Sequence, residues 1–375
     1  QAPSLAHSAG QVISRLLRGR RHPRGLPRRR GHAGEGNFRW NRAGVPPAFS
    51  SATILICTRD RPESLERTLR SLESLAIPAG FRVKIRLVDN GSRVPLAGWL
   101  EKRGWPRTDL PVEVVCEPRA GKSCALNRGL RDLDADLVAF SDDDMEFHPR
   151  WLTGALERLE EDPAQALQGH IEIRSTLPLP AWFTPRCALL FGATPDLPDR
   201  AGLRGLAGGN SFVPRAQIER IGPFREDLGP QGRRLGYSED MEWSGRLHQA
   251  GVPLRFCRQA VNYHLIGADR VRRGILLRRQ FDQSRTETLL DATLPTGSRR
   301  WKDQDFFGEV RGLAGALFKP RRRFQGLDYG LELAARLGRV WGLAQRRLKS
   351  LVAPPREGRP PNPSGDGMPT ITKNP

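Results

Sequence analysis

The chain has 375 residues, 38% of them hydrophobic, and a formal net charge of +20. That length accommodates one large domain or two ordinary ones with a real core, and the absence of any run near 18 apolar residues excludes a predicted spanning helix. The charge sits in the flanks: residues 1–50 hold 10 arginines and 1 acid, residues 270–375 hold 22 basic and 10 acidic residues, and residues 51–269 are balanced at 29 basic to 30 acidic. A motif-bearing centre of −1 argues against a protein built mainly to bind nucleic acid.

The N-terminal residues lack a compact apolar segment with a small-residue cleavage site, so no signal peptide is predicted. Residues 19–36, GRRHPRGLPRRRGHAGEG, cannot bury a core, and 1–50 is expected to be a basic, flexible arm. The run ATILICT (52–58) predicts a strand. In PESLERTLRSLESL (62–75), leucines at 65, 69, 72 and 75 have helical spacing, with Pro62 in a first turn. VKIRLVDNG (83–91) reads as a strand ending in a turn, and VEVVCE (112–117) as another strand after a short helix. GKSCALNRGLRDL (121–133) predicts a helix, ADLVAFSDDD (135–144) a strand, and PRWLTGALERLEED (149–162) a further helix. Four strand–helix alternations predict an α/β domain over 51–269, with a mostly parallel central sheet flanked by helices. Ligands of such sheets bind at the carboxyl ends of the strands. The five cysteines form no C-x-x-C pair, which predicts neither a disulfide framework nor a zinc site and favours a reducing, cytoplasmic compartment.

The polar strand ends carry the chemistry. TRDRP (58–62) and VDNGS (88–92) end neighbouring strands and suggest a shared nucleotide pocket, although Asp-Asn-Gly alone is a turn signal. AGKS (120–123) is not a phosphate-binding P-loop, because Cys116 stands where that motif needs glycine. A glycine-opened helix start there can still attract phosphate. In AFSDDDMEF (139–147), strand alternation would put Asp142 and Asp144 on one face and Asp143 on the other. Two hard oxygen ligands at a strand end suit Mg²⁺ or Mn²⁺ carrying a diphosphate. One aspartate would suffice to cap the following helix. In GYSEDMEWSGRL (236–247), Glu239, Asp240 and Glu242 precede a helical pattern; they are dipole partners or supply a general base for an acceptor hydroxyl. GLAGGNSFVP (205–214) offers backbone, at Gly209 and Asn210, that could closely approach a sugar, and His264 closes a β-like run.

In this order the motifs TRDRP, VDNGS, GKSCALNRG, SDDD, GGNSFVPR, SEDMEW and NYH resemble those of the family 2 glycosyltransferases of GT-A fold, across about 52–266. The resemblance implies inverting transfer of a sugar from a nucleotide-diphosphate sugar to a hydroxyl on a glycan, polysaccharide or lipid-linked acceptor, with Mg²⁺ or Mn²⁺. It implies that Asp89 recognises the nucleobase, that Thr58 and Arg59 line the nucleotide pocket, and that Asn127 lies near ribose and diphosphate. Asp142 and Asp144 match the Asp-x-Asp, Asp144 as the direct metal ligand and Asp142 nearer the ribose. His264 matches a late histidine near the metal, and Asp240 the catalytic base. Glu239, Glu242, Arg246, Gly209 and Asn210 fall on the acceptor side or support it. The loop LGPQGRRLGYSED departs from the family, and its Arg233 and Arg234 either belong to a solvated loop or favour an anionic acceptor.

Residues 270–352 are expected to form a helical, basic extension and 353–375 a disordered tail. Apolar residues at 327, 331, 334, 337, 341, 344 and 348 make one helical stripe, with Arg336, Arg339, Arg346, Arg347 and Lys349 largely elsewhere. Such a helix either packs on the catalytic domain or lies on an anionic membrane, and FKPRRRF (318–324) favours peripheral attachment at the inner face of the plasma membrane. Two other functions compete. A sugar-phosphate nucleotidyltransferase would need a glycine-rich loop after the first strand, which TRDRPES lacks; a polyanion-binding protein using the arginine-rich flanks leaves the central motifs unexplained.

Overall fold

β1 (Ser51–Thr58) is buried along nearly all of its length, which is why it is a continuous apolar run rather than an alternating one. Its side chains still separate by parity: Ile54 and Ile56 enter one hydrophobic cluster with Leu65, Leu69 and Leu72, while Leu55 enters another with Leu126, Phe140 and Trp243. The sheet therefore has a core on both faces. The structure, a computed structural model, describes residues 47–105, 110–230, 238–291, 306–318 and 326–352. Nearly all of the expected arm, the 353–375 tail, Arg233, Arg234 and most of 318–324 lie outside the described residues.

The remaining strands are β2 (Arg82–Asp89), β3 (Val112–Cys116), β4 (Leu137–Asp142), β5 (Met145–Phe147), β6 (Ala166–Ser175), β7 (Asn210–Pro214) and β8 (Leu254–Ile266). Their spatial order is β3-β2-β1-β4-β7-β6-β8-β5. The first four are parallel, as the strand–helix alternation predicts. Register brings Thr58 beside Asp89, Cys57 beside Asp142 and Asp89 beside Cys116, so the polar strand ends share one edge. The second half is mixed: β4–β7, β6–β7 and β5–β8 run antiparallel, and β6–β8 parallel. The sequence hides these strands because β5 has 3 residues and β7 has 5, and because the β6–β8 register shifts between Gly169 and His170.

The C-terminal helix Leu327–Val352 corrects the single-stripe expectation. Leu331, Ala334, Ala335 and Leu343 face inward, whereas Leu337 (46% exposed), Trp341 (54%) and Leu348 (61%) face out. Gly338 and Gly342 explain the rotation. They lie against the backbone of the helix Arg273–Asp291, and a Cβ at Gly338 would overlap the Phe281 carbonyl. Leu331 joins Phe191, Ile266, Val271 and Leu276 in a third cluster, and Thr184 donates to Asp328 at 2.6 Å, so this helix packs on the β8 side of the catalytic fold.

Candidate active site

Strand alternation does not carry through the aspartate run. β4 ends at Asp142, and a turn at Asp143–Asp144 brings both of those residues onto one guanidinium. Arg61 Nη1 donates to Asp143 Oδ1 at 2.6 Å and Nη2 to Asp144 Oδ2 at 2.9 Å. Asp142 faces the other way and accepts from Lys122 Nζ at 2.6 Å. Each of the three carboxylates thus has a cationic partner, which answers the repulsion among them. Arg61 reaches back because Asp60 takes a left-handed backbone (φ 53°), with its carboxylate accepting from the Arg93 N–H at 2.8 Å.

Burial separates the three acids electrostatically. Asp143 also accepts from the Thr58 hydroxyl at 2.6 Å, yet desolvation pushes its pKa up to about 6. Asp144 is equally buried, but the hydrogen bond with His264 and the charges of His264, Arg61 and Arg270 outweigh desolvation and hold it well below the usual carboxylate range. Arg270 Nη1 donates to Asp144 Oδ2 at 3.0 Å, and His264 Nε2 lies 3.1 Å from the same oxygen. His264 Nδ1 is 2.5 Å from the Phe191 carbonyl, which can only accept, so Nδ1 carries a proton.

The second acidic cluster starts the helix Glu239–Gln249. Asp240 is half-buried; its Oδ2 accepts from the Gly208 N–H at 3.0 Å and its Oδ1 from the Met241 N–H at 2.8 Å. Ser238, just before it, has φ 77°, a left-handed conformation that costs a non-glycine residue about 1–3 kcal/mol. Glu239 is buried, and desolvation together with the Asp240 charge pushes its pKa up to about 7 against the pull of Lys122. Lys122 Nζ lies 3.9 Å from Glu239 and so stands between the two clusters. Lys122, Asp142, Gly208, Glu239 and Asp240 line one cavity of about 20 Å³. Gly209 adjoins it: a Cβ there would meet the Met145 side chain at 2.5 Å and Asp142 Oδ2 at 3.2 Å.

Several residues expected at the site have their polar groups engaged elsewhere. Asn127 holds the backbone of Phe224 through both ends of its amide and also bonds Glu226. Asn210 is fully buried, accepting from Trp151 Nε1 at 2.8 Å and donating toward His170, Ala260 and Asn262. Arg246 pairs with Glu242 at 3.2 Å and donates to the carbonyls of Ile221 and Pro223, which ties the helix to that turn. Asp89 lies at the strand edge and accepts from the Ser92 and Leu96 N–H groups at 2.9 and 3.0 Å. Arg59 is exposed. Three residues missed in the sequence, Arg61, Lys122 and Arg270, supply the lysine and arginine cations paired with the aspartates, beside the expected Thr58 and His264. Arg61 and Lys122 stand inside TRDRP and AGKS; Arg270 lies beyond the last motif, and nothing in its local sequence marks it.

The seven motifs converge on this edge of the sheet, and residues 53–221 match the family model described as glycosyl transferase family 2. Residues 53–221 form a family 2 glycosyltransferase domain. A succinoglycan biosynthesis protein of Rhizobium meliloti (strain 1021), ExoM, is 27% identical to this glycosyltransferase over 248 residues, 66% of this chain and 77% of ExoM. The glycosyltransferase AglE of Haloferax volcanii is 22% identical over 213 residues, 56% of this chain and 66% of AglE. A mannosyltransferase of Pyrobaculum calidifontis, solved with GDP-Man and Mn²⁺, has a TM-score of 0.53 at 16% identity, over 82% of this chain and 90% of that one. That likeness establishes the GT-A fold of the glycosyltransferase. Among its described residues no helix is long and apolar enough to cross a membrane.

The residues present fit a divalent cation. A histidine whose Nδ1–H is fixed on a carbonyl while Nε2 faces a buried carboxylate is the arrangement of a metal-ligating imidazole. Among the described residues no three His, Cys, Asp or Glu side chains are grouped to cage a metal. Mg²⁺ and Mn²⁺ sites of this kind take one or two carboxylates and complete their shell with substrate phosphates and water.

Proposed function

We propose that the protein transfers a glycosyl group from a nucleotide-diphosphate sugar to a hydroxyl acceptor with inversion at the anomeric carbon. One observation carries this reading: Asp142 and Asp240, 98 residues apart in the chain, line one cavity with Lys122 between them. Thr58, Arg59 and Asp89 line the nucleotide side, and Asp144 and His264 would hold Mg²⁺ or Mn²⁺, with Asp142 reaching it only on release from Lys122. The cation, when bound, neutralises charge developing on the departing diphosphate. Asp240 takes the acceptor proton as the hydroxyl oxygen attacks the anomeric carbon and the bond to diphosphate breaks. Its carboxylate is suited to this, being half-exposed and oriented by two backbone N–H groups. Asn127, Asn210, Glu242 and Arg246 act from behind the cavity, holding the Phe224 backbone, β7 and the helix Glu239–Gln249 in place.

The succinoglycan name of one relative supports a polysaccharide or lipid-linked acceptor. The outward Leu337, Trp341 and Leu348, with the exposed Arg347 nearby, support peripheral contact with an anionic membrane. Asp240→Asn tests the core of the proposal: transfer is lost while nucleotide binding by calorimetry persists. Full activity in that variant would reject Asp240 as the base. Proton NMR of the product fixes the anomeric configuration, and thermal-shift screening of sugar nucleotides with Mn²⁺ identifies the donor. Co-sedimentation of Trp341→Glu with anionic vesicles tests the membrane contact.

A further inference from the structure

Three nitrogen groups converge on one oxygen of Asp144. Arg61 Nη2 lies at 2.9 Å, Arg270 Nη1 at 3.0 Å and His264 Nε2 at 3.1 Å from Oδ2. A divalent cation on that oxygen would sit about 2.0–2.2 Å from it, overlapping and repelling these guanidinium groups. At least one must leave. The two arginines are not equally free to do so. Arg61 is anchored twice, with Nη1 on Asp143 Oδ1 at 2.6 Å. Arg270 has Asp144 as its carboxylate partner among the described residues, and it sits on the turn after β8, with its N–H on the Gly267 carbonyl at 3.1 Å. Together with Arg61 and Arg67, Arg270 also lines a groove of about 470 Å³, whose walls carry the carboxylates of Asp60, Glu63 and Asp269 as well. A guanidinium displaced from Asp144 has room there to meet an anion bidentately.

We propose that Arg270 is the resident counter-cation of Asp144, that it exchanges places with the divalent metal, and that the displaced guanidinium then binds the diphosphate of the donor. The inference rests on the metal reading of Asp144 and His264. Its consequence is a coupling between two ligands. Metal alone must break the Arg270–Asp144 pair without recompense, whereas metal with diphosphate gives the guanidinium a new partner. Metal and diphosphate therefore bind cooperatively, and Arg270 sets the coupling factor. The same exchange would keep Asp144 ionised and fixed in the absence of donor.

The test uses the full chain, Mn²⁺ and inorganic pyrophosphate as probes, with Mn²⁺ binding followed by electron paramagnetic resonance and pyrophosphate binding by calorimetry. In Arg270→Gln, Mn²⁺ affinity without pyrophosphate rises about 5- to 10-fold, Mn²⁺-dependent pyrophosphate affinity falls about 10-fold, and the coupling factor shrinks accordingly. Arg270→Lys keeps the competing charge and returns both affinities toward wild type. It also serves as the measuring variant should Arg270→Gln melt early, because lysine, unable to form the bidentate contact, still lowers pyrophosphate affinity. Unchanged or weaker Mn²⁺ binding in a folded Arg270→Gln overturns the exchange while leaving the metal reading intact. Wild-type protein that binds no Mn²⁺ even with pyrophosphate overturns both.

Discussion

The two acidic clusters of the site are held in different ways. Asp142, Asp143 and Asp144 are matched by side-chain cations from Lys122, Arg61 and Arg270. Asp240 is matched by backbone N–H groups of Gly208 and Met241 at a helix start. Side-chain cations sit on rotatable stems and can give way to a ligand's charge. Backbone dipoles cannot leave. On the exchange proposed for Arg270, the aspartate run changes partners when ligand arrives, whereas Asp240 keeps one orientation throughout.

The sharpest way to break this contrast is at Asp240. Asp240→Asn should lower kcat by about 10²–10⁴-fold, the usual contribution of a general base, with nucleotide affinity nearly unchanged. Next comes His264→Gln, which leaves the Phe191 carbonyl and Asp144 without the imidazole; metal-dependent nucleotide affinity should fall by about 10–100-fold in calorimetry. Lys122→Met removes the cation between the clusters and should destabilise the fold by about 1–3 kcal/mol in urea unfolding, a figure already discounted for the partial exposure of the lysine. Asn127→Ala should cost about 1–2 kcal/mol by releasing the Phe224 backbone, while leaving nucleotide affinity within error; a large affinity loss would return Asn127 to the donor site.

The smallest effect is one of pH. Burial raises the Glu239 pKa from 4.5 to about 7, so its protonated form favours the folded state. That contribution is fully present below the unfolded value and is lost as pH rises through the folded one. Glu239→Gln should therefore gain stability over wild type as pH climbs from about 4.5 to about 7, with the gap in Tm levelling off above. A constant gap would mean that Glu239 is ionised throughout, held so by Lys122.

Much of the parallel half was legible because its signals are local. Leucine spacing at 65, 69 and 72 marks a helix, and the apolar run 52–57 marks a buried strand, whatever the rest of the chain does. The order of the seven motifs was legible for the same reason. The antiparallel half was not, since β5 and β7 are too short to show a period and gain stability from partners distant in sequence. The C-terminal stripe misled because apolar spacing says that a face exists but not which flank is buried; the close approach at Gly338 and Gly342 made that choice.

The sequence by itself determined the domain's chemistry: an acidic run at a strand end, an acidic pair at a helix start, a late histidine. Residue type and local spacing suffice for those. Only the tertiary structure decided how the charges are shared. Arg61, Lys122 and Arg270 come from three segments far apart in the chain, and no period or motif encodes which carboxylate each will reach. Asn127 and Asn210 match motif positions, yet their amides are bound inside the fold, because a buried amide must satisfy its hydrogen bonds wherever the chain places partners.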